Sequence, residues 1–163
     1  MPSKQIMFAI VTFLHDLFTA VWIGGLITLG LTVLPSAKKV LGMGPQTKKL
    51  MDAIQKRLSV LVYVSIAGLL LTGLLLSNRN PAFQGLFSFG NPYSTVLALK
   101  HVLVLAMIAV SLYRSLILGR RSGPSTPSQE KLSAGLLFFN IILGVAILLL
   151  SGFSVALGSA PPA

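Results

Sequence analysis

Four apolar runs, each long enough to cross a bilayer, constrain this chain more than any other feature. They cover residues 6–34, 58–77, 95–118 and 132–157, and about 20 apolar residues suffice to span the hydrocarbon core. The runs are hydrophobic nearly all round and lack strict alternation, which favours membrane helices over the strands of a β-barrel. We therefore predict an all-α integral membrane protein, an up-down four-helix bundle that forms a single membrane domain over residues 1–163.

Proline and glycine mark the connections between these runs. Pro35 is expected to end the first helix, and Asn78 with Pro81 to end the second. The stretch 45–57 is expected to form a separate short helix at the membrane interface, and residues 119–127 to form the loop before the fourth helix.

The positive charges predict an orientation. Ten of the thirteen Lys and Arg side chains follow the first or the third run, and only Lys4 and Arg79 flank the runs on the other side. The ten are Lys38, Lys39, Lys48, Lys49, Lys56, Arg57, Arg114, Arg120, Arg121 and Lys131. By the positive-inside rule both basic loops lie in the cytoplasm and both termini outside, in a multi-pass protein of the cytoplasmic membrane. The net charge of +10 thus indicates topology and contact with the lipid bilayer, not a nucleic-acid partner.

Composition excludes several classes of function. Only 10% of the residues are charged, against about a quarter in soluble domains, so a soluble enzyme is excluded. The chain has no cysteine, which excludes disulfides, thiolate metal ligands, iron–sulfur clusters and covalently attached c-type haem.

The only two histidines, His15 and His101, both fall inside apolar runs. Ionisable groups inside a membrane are costly and indicate function by default. Each histidine lies about 8 Å from the midplane on the outer side, at 1.5 Å rise per residue, so the two converge on one depth. Two facing imidazoles suit a haem iron or, with the thioethers of Met7 or Met107, copper. Proton transfer and two merely structural histidines remain as alternatives.

Residues near the histidines complete the predicted cofactor site. Asp16 and Lys100 lie at similar depth and are expected inside the bundle, paired directly or through a cofactor or water. Thr19 and Trp22 share a helix face with His15. Gly25 allows either close helix packing or room for a flat macrocycle. Arg114 lies near a helix end, from where its side chain can reach the interface.

Aromatic residues fill the connection between the second and third runs, and two interpretations remain for them: an interfacial belt, or a lid over a site at the outer mouth. They are Phe83, Phe87, Phe89 and Tyr93.

Three segments of the chain resemble a known family. Residues 14–25, with His15 and the following Trp-x-Gly-Gly, together with Leu34-Pro35, resemble the first helix of the copper-resistance D (CopD-like) family. Residues 56–59 leading to 71–73, and residues 99–114, resemble its next two helices. This resemblance implies copper handling at or across the membrane.

The same pattern is similar, more distantly, to the HemJ-type membrane haem proteins. That likeness implies haem b on His15 and a lysine needed for activity at Lys100.

From these observations we predict a membrane metal-cofactor protein that binds haem b through His15 and His101 for electron transfer, with a redox partner or as a subunit of a larger complex. Trp22, Lys100, Asp16, Thr19 and Gly25 are expected to contact the cofactor. The alternative is a CopD-like copper-uptake protein, and a further alternative is a scaffold subunit without a cofactor.

Overall fold

The computed structural model describes residues 3–118 and 126–158, and all regular structure in this part of the chain is helical. Helix α1 is Ser3–Leu41, α2 is Pro45–Ser77, α3 is Pro92–Leu112 continued by a π-helical stretch at Tyr113–Leu118, and α4 is Pro127–Gly158. All four helices are long and apolar enough to cross a membrane. The predicted all-α, four-helix membrane protein is confirmed, while the side on which its termini lie stays a prediction. Arg120 and Arg121, which contribute to that prediction, lie outside the described residues.

Helix α1 passes through Pro35, so the expectation that this proline ends the first helix is wrong. A proline inside an α-helix removes one backbone hydrogen bond, and its ring crowds the carbonyl one turn earlier. Here a π-helical stretch, Thr28–Val33, comes just before the proline. Its wider turn accommodates the ring, and the helix continues to Leu41. At 1.5 Å per residue α1 is about 58 Å long, so it extends well beyond the hydrocarbon core.

A three-residue turn joins α1 to α2. Gly42 ends α1 with a φ of 74°, which is unfavourable for a side-chain-bearing residue, and the Thr47 hydroxyl donates to the Gly42 carbonyl at 2.6 Å. Pro45 occupies the first turn of α2, where its missing N–H is not needed. The stretch 45–57 is therefore the first part of α2 and not a separate interfacial helix.

We call this end of the bundle the basic end. Its cationic side chains in the described part of α1 and α2 are Lys38, Lys39, Lys48, Lys49, Lys56 and Arg57. The opposite end, which carries the connection 78–91, is called the distal end.

Side-chain caps fix where α3 and α4 begin, a few residues earlier than the apolar runs indicate. Asn91 accepts a hydrogen bond from the Ser94 N–H at 2.7 Å, with Pro92 next in the first turn. At α4, Thr126 and Gln129 each accept from the other's backbone N–H, at 3.4 and 3.2 Å, which forms a capping box.

The four helices form an up-down bundle. α1 packs mainly on α2, and α3 mainly on α4, while the second half of α1 also contacts α4. Met107 of α3 and Ile23 of α1 both lie beside Gly144 of α4. α1 and α3 therefore occupy diagonal positions, and residues on them meet only across the centre of the bundle.

The core lies along this centre. Trp22, Ile23 and Met107 belong to it, together with apolar side chains of α2 and α4. Many other large apolar side chains are exposed on the outside of the bundle, as expected of a surface that faces lipid.

Candidate metal site

His15 is held by a side chain of α2. Its Nδ1 lies 2.9 Å from the Thr72 hydroxyl oxygen, and the Thr72 hydroxyl donates to the Gly68 carbonyl at 2.7 Å. Because a threonine hydroxyl has one proton, which goes to Gly68, it must accept a hydrogen bond from Nδ1–H of His15. The neutral imidazole then keeps its Nε2 lone pair free for another partner.

Close packing of α1 on α2 brings His15 to Thr72. A Cβ at Gly68 would overlap the Phe18 ring, and one at Gly73 would lie 3.5 Å from Cε1 of His15. Because these positions lack side chains, the two helices approach closely, and the imidazole reaches the neighbouring hydroxyl.

His101 on α3 is fixed by its own helix. Its Nδ1 lies 2.7 Å from the Leu97 carbonyl oxygen, which can only accept, so Nδ1–H donates and Nε2 again keeps its lone pair. The Phe87 ring is tilted against this imidazole, with the ring centroids 6.1 Å apart. Phe87 belongs to the aromatic connection 78–91, so this connection places one aromatic ring against His101.

Lys100 on α3 lies within electrostatic range of His15, His101 and Asp16. Lys100 and Asp16 do not form a direct ion pair within the described part of the chain. Asp16 itself is exposed on α1, so the prediction that it lies inside the bundle is wrong. The helix face that carries His15 toward α2 turns the next residue outward, and this rotation explains the difference.

The other predicted cofactor residues take structural positions. Thr19 donates to the His15 carbonyl at 2.8 Å. Trp22 is 2% exposed in the core, and its Nε1–H has no acceptor within the described residues. A Cβ at Gly25 would lie 2.9 Å from Cδ1 of Leu58, so this glycine serves the contact between α1 and α2.

The donor set around the histidines is small. Within residues 3–118 and 126–158 no three His, Asp or Glu side chains converge on a point that could hold a metal ion. Met107 is fully buried in the core, and Met7 lines a cavity of about 280 Å³ between α1 and α2 at the distal end. Neither this cavity nor the smaller one at the basic end is lined by His15 or His101.

Two features of the structure were not predicted from the sequence. The first is the hydrogen bond of His101 to the Leu97 carbonyl, because a backbone group can belong to any residue type. Arg114, expected to extend toward the interface, is buried, with 7% of its surface exposed. It lies in the π-helical stretch of α3, and a single sequence gives little sign of such a stretch.

The chain matches a known protein family. The family model described as "Copper resistance protein D" matches residues 52–154, more than half of the chain. The matched part contains Thr72, Lys100 and His101 and begins after α1, which carries His15. The likeness to HemJ-type proteins gains no support. Neither the curated proteins nor the solved structures include a match to this chain.

Proposed function

The chain belongs to the copper resistance protein D family, and from this premise we propose that it binds copper as cargo through His15 and His101. It is a multi-pass membrane protein of the copper-resistance type. We further propose that the copper site lies at the distal end of the bundle and that the protein lies in the cytoplasmic membrane. The distal end then faces the outside, because the basic end carries the cytoplasmic charge pattern.

One observation carries the proposal: both imidazoles use Nδ1–H in a hydrogen bond, and neither Nε2 has a partner among the described residues. Metal-ligating histidines are held in this way, with the second ring nitrogen donating to a carbonyl, carboxylate or other oxygen. Such a bond fixes the tautomer and the ring orientation before the metal arrives. Thr72 and the Leu97 carbonyl are therefore positioning groups, and the two Nε2 atoms are the proposed ligands.

The residues present fit copper as a passing ion. Imidazole nitrogen is a suitable copper ligand, and a third ligand can come from water or a thioether. Two protein ligands and the positive charge of Lys100 limit the affinity, which suits a site that must release its ion.

Haem b remains the second candidate, because two imidazoles with free Nε2 atoms are also the ligands of a low-spin haem. In that case the protein would carry electrons, with a redox partner or within a larger complex. Cofactor sites have about 300–1,000 Å³, and neither cavity described above is lined by the two histidines. The close packing of α1 on α2 therefore favours a single ion over a macrocycle.

An optical spectrum of detergent-purified protein, oxidised and reduced, combined with metal analysis, separates these candidates. We expect a protein without a Soret band that takes up one copper ion per chain. A Soret band with sharp α and β bands on reduction would establish haem b instead. A protein that holds neither copper nor haem would contradict both.

A further inference from the structure

A second polar site lies at the basic end, away from both histidines. A half-enclosed cavity of about 30 Å³ is lined by α1, α2 and α3. Its polar lining consists of Gln55, Ser59, Tyr63, Ser111, Arg114 and Ser115. About 10–15 Å³ is enough for one water-sized group, so the cavity admits a small polar group and nothing larger.

No counter-ion for the Arg114 guanidinium is found among residues 3–118 and 126–158. Arg114 is 7% exposed, and its buried Nε–H has no acceptor within the described residues. Asp16, Asp52 and Glu130 are the only acidic residues of the chain, and none of them lines the cavity. A buried charge without a counter-ion is costly, so an anionic ligand that neutralises it would be bound favourably here.

Three hydroxyl groups of the cavity form a hydrogen-bonded chain. Tyr63 Oη donates to Ser115 Oγ at 2.7 Å, and Ser115 Oγ donates to Ser59 Oγ at 3.4 Å. The proton of Ser59 is then left at the end of this chain, and no acceptor for it is found in the part of the protein that the structure describes. Within the described part of the chain, the cavity thus presents two donors without an acceptor, the Nε–H of Arg114 and the hydroxyl of Ser59.

We propose that this cavity binds a phosphate group, with Arg114 as its charged ligand and Ser59 as a hydroxyl donor. Arginine pairs with phosphate through parallel hydrogen bonds, and the exposed cations of the basic end attract anions to its mouth. One phosphate oxygen fits the cavity, while the rest of the group stays outside. The phosphate belongs either to an anionic lipid headgroup or to free inorganic phosphate, because the cavity lies at the basic end, within four residues of where the third apolar run ends.

Two arms of one experiment distinguish these sources. In the first, the protein is reconstituted in nanodiscs of phosphatidylcholine with a minor fraction of phosphatidylglycerol, and native mass spectrometry measures which lipid it retains. In the second, the protein in dodecyl maltoside, a detergent without phosphate, is titrated with inorganic phosphate or, at equal ionic strength, chloride, and the thermal unfolding midpoint is measured.

Arg114→Gln is compared with Arg57→Gln, which removes an equal charge from an exposed position at the same end. If a lipid is the source, wild type and Arg57→Gln retain phosphatidylglycerol selectively, and Arg114→Gln loses this selectivity roughly tenfold or more. If free phosphate is the source, it raises the unfolding midpoint of the first two proteins more than chloride does, and not that of Arg114→Gln.

The proposal is overturned if neither arm shows an effect that depends on Arg114. Should Arg114→Gln fail to fold, Ser59→Ala replaces it, because this variant removes one donor and keeps the guanidinium. Selective binding should then weaken a few-fold, and unchanged binding by Ser59→Ala would equally overturn the proposal. Copper is present in neither arm, so failure here leaves the proposed function unaffected.

Discussion

The hydroxyl of Thr72 fixes the orientation of the His15 ring by accepting its Nδ1–H. The first prediction concerns this hydrogen bond. Thr72→Val keeps the shape of the side chain and removes the acceptor for Nδ1–H. We expect copper affinity to fall about 10- to 100-fold, as on loss of other groups that orient a metal ligand. A competition titration of copper against a chelator of known affinity measures this.

Thr12→Val is the matched control for that variant. Thr12 also donates to the carbonyl four residues earlier on its helix, but the hydroxyl has no histidine partner. Its copper affinity should equal that of wild type. Equal affinities of Thr72→Val and Thr12→Val would show that Thr72 does not position a ligand.

Single residues also show how far the sequence could predict this site. The two histidines could be predicted as candidate site residues, because few ionisable groups lie inside the apolar runs. The exposure of Asp16 and the burial of Arg114 did not follow from the sequence. Both depend on how each helix is rotated about its axis, and an all-round apolar helix carries little information on that rotation.

At the scale of elements, the close contact of α1 with α2 is the basis of the second prediction. A Cβ at Gly68 would overlap the Phe18 ring, so Gly68→Ala must push α1 away one turn from the contact between His15 and Thr72. We expect a loss of about 1–3 kcal/mol in the free energy of unfolding and weaker copper binding. Thermal unfolding in detergent and the copper titration measure the two effects.

Gly135→Ala on α4 is the control, because a Cβ there meets nothing within 4 Å. It should leave stability unchanged or raise it slightly, since alanine restricts the unfolded chain more than glycine does. If Gly68→Ala and Gly135→Ala have the same free energy of unfolding and the same copper affinity, the close approach of α1 and α2 does not stabilise the distal end.

The contact between α3 and α4 gives the third prediction. Asn140 is fully buried and donates to Ser111 Oγ at 2.8 Å. Ser111→Ala leaves this amide without its acceptor and should cost about 0.6–1.7 kcal/mol. The double variant Ser111→Ala with Asn140→Leu removes both partners and should recover stability toward wild type.

Ser154→Ala serves as the reference in the same unfolding measurement. Ser154 donates only to the Leu150 carbonyl of its own helix, at 2.8 Å, so its removal should have a smaller effect. A double variant that is less stable than Ser111→Ala alone would contradict the account of this pair.

The presence of a membrane helix is easier to predict from the sequence than the residues at which it begins and ends. Apolar length was enough to find four helices, because a bilayer requires about 20 apolar residues of each. The polar extensions, such as 45–57, were missed because they lie beyond the apolar part. Continuation of α1 through Pro35 was missed because the π-helical stretch that accommodates the ring has no sequence signature of its own.

At the scale of the whole molecule, the charge distribution predicts an orientation that labelling can test. The chain has no cysteine, so single cysteines at Met43, in the turn of the basic end, and at Phe89, in the connection of the distal end, are unambiguous probes. Both side chains are exposed, 81% and 71% respectively. With a membrane-impermeant maleimide on intact cells, Phe89→Cys should react, and Met43→Cys should react only after permeabilisation. The reverse pattern would invert the proposed topology.

The central claim is that His15 and His101 bind one copper ion together, and a copper titration of wild type, His15→Ala and His101→Ala tests it most directly. The claim rests on two imidazoles, one on each of two diagonal helices, that each use Nδ1 in a hydrogen bond. We predict about one copper ion per wild-type chain and a large loss of affinity in each variant, because a single imidazole remains in either case. Wild-type affinity and stoichiometry in both variants would contradict a shared site, and a loss in only one variant would reduce it to that histidine alone.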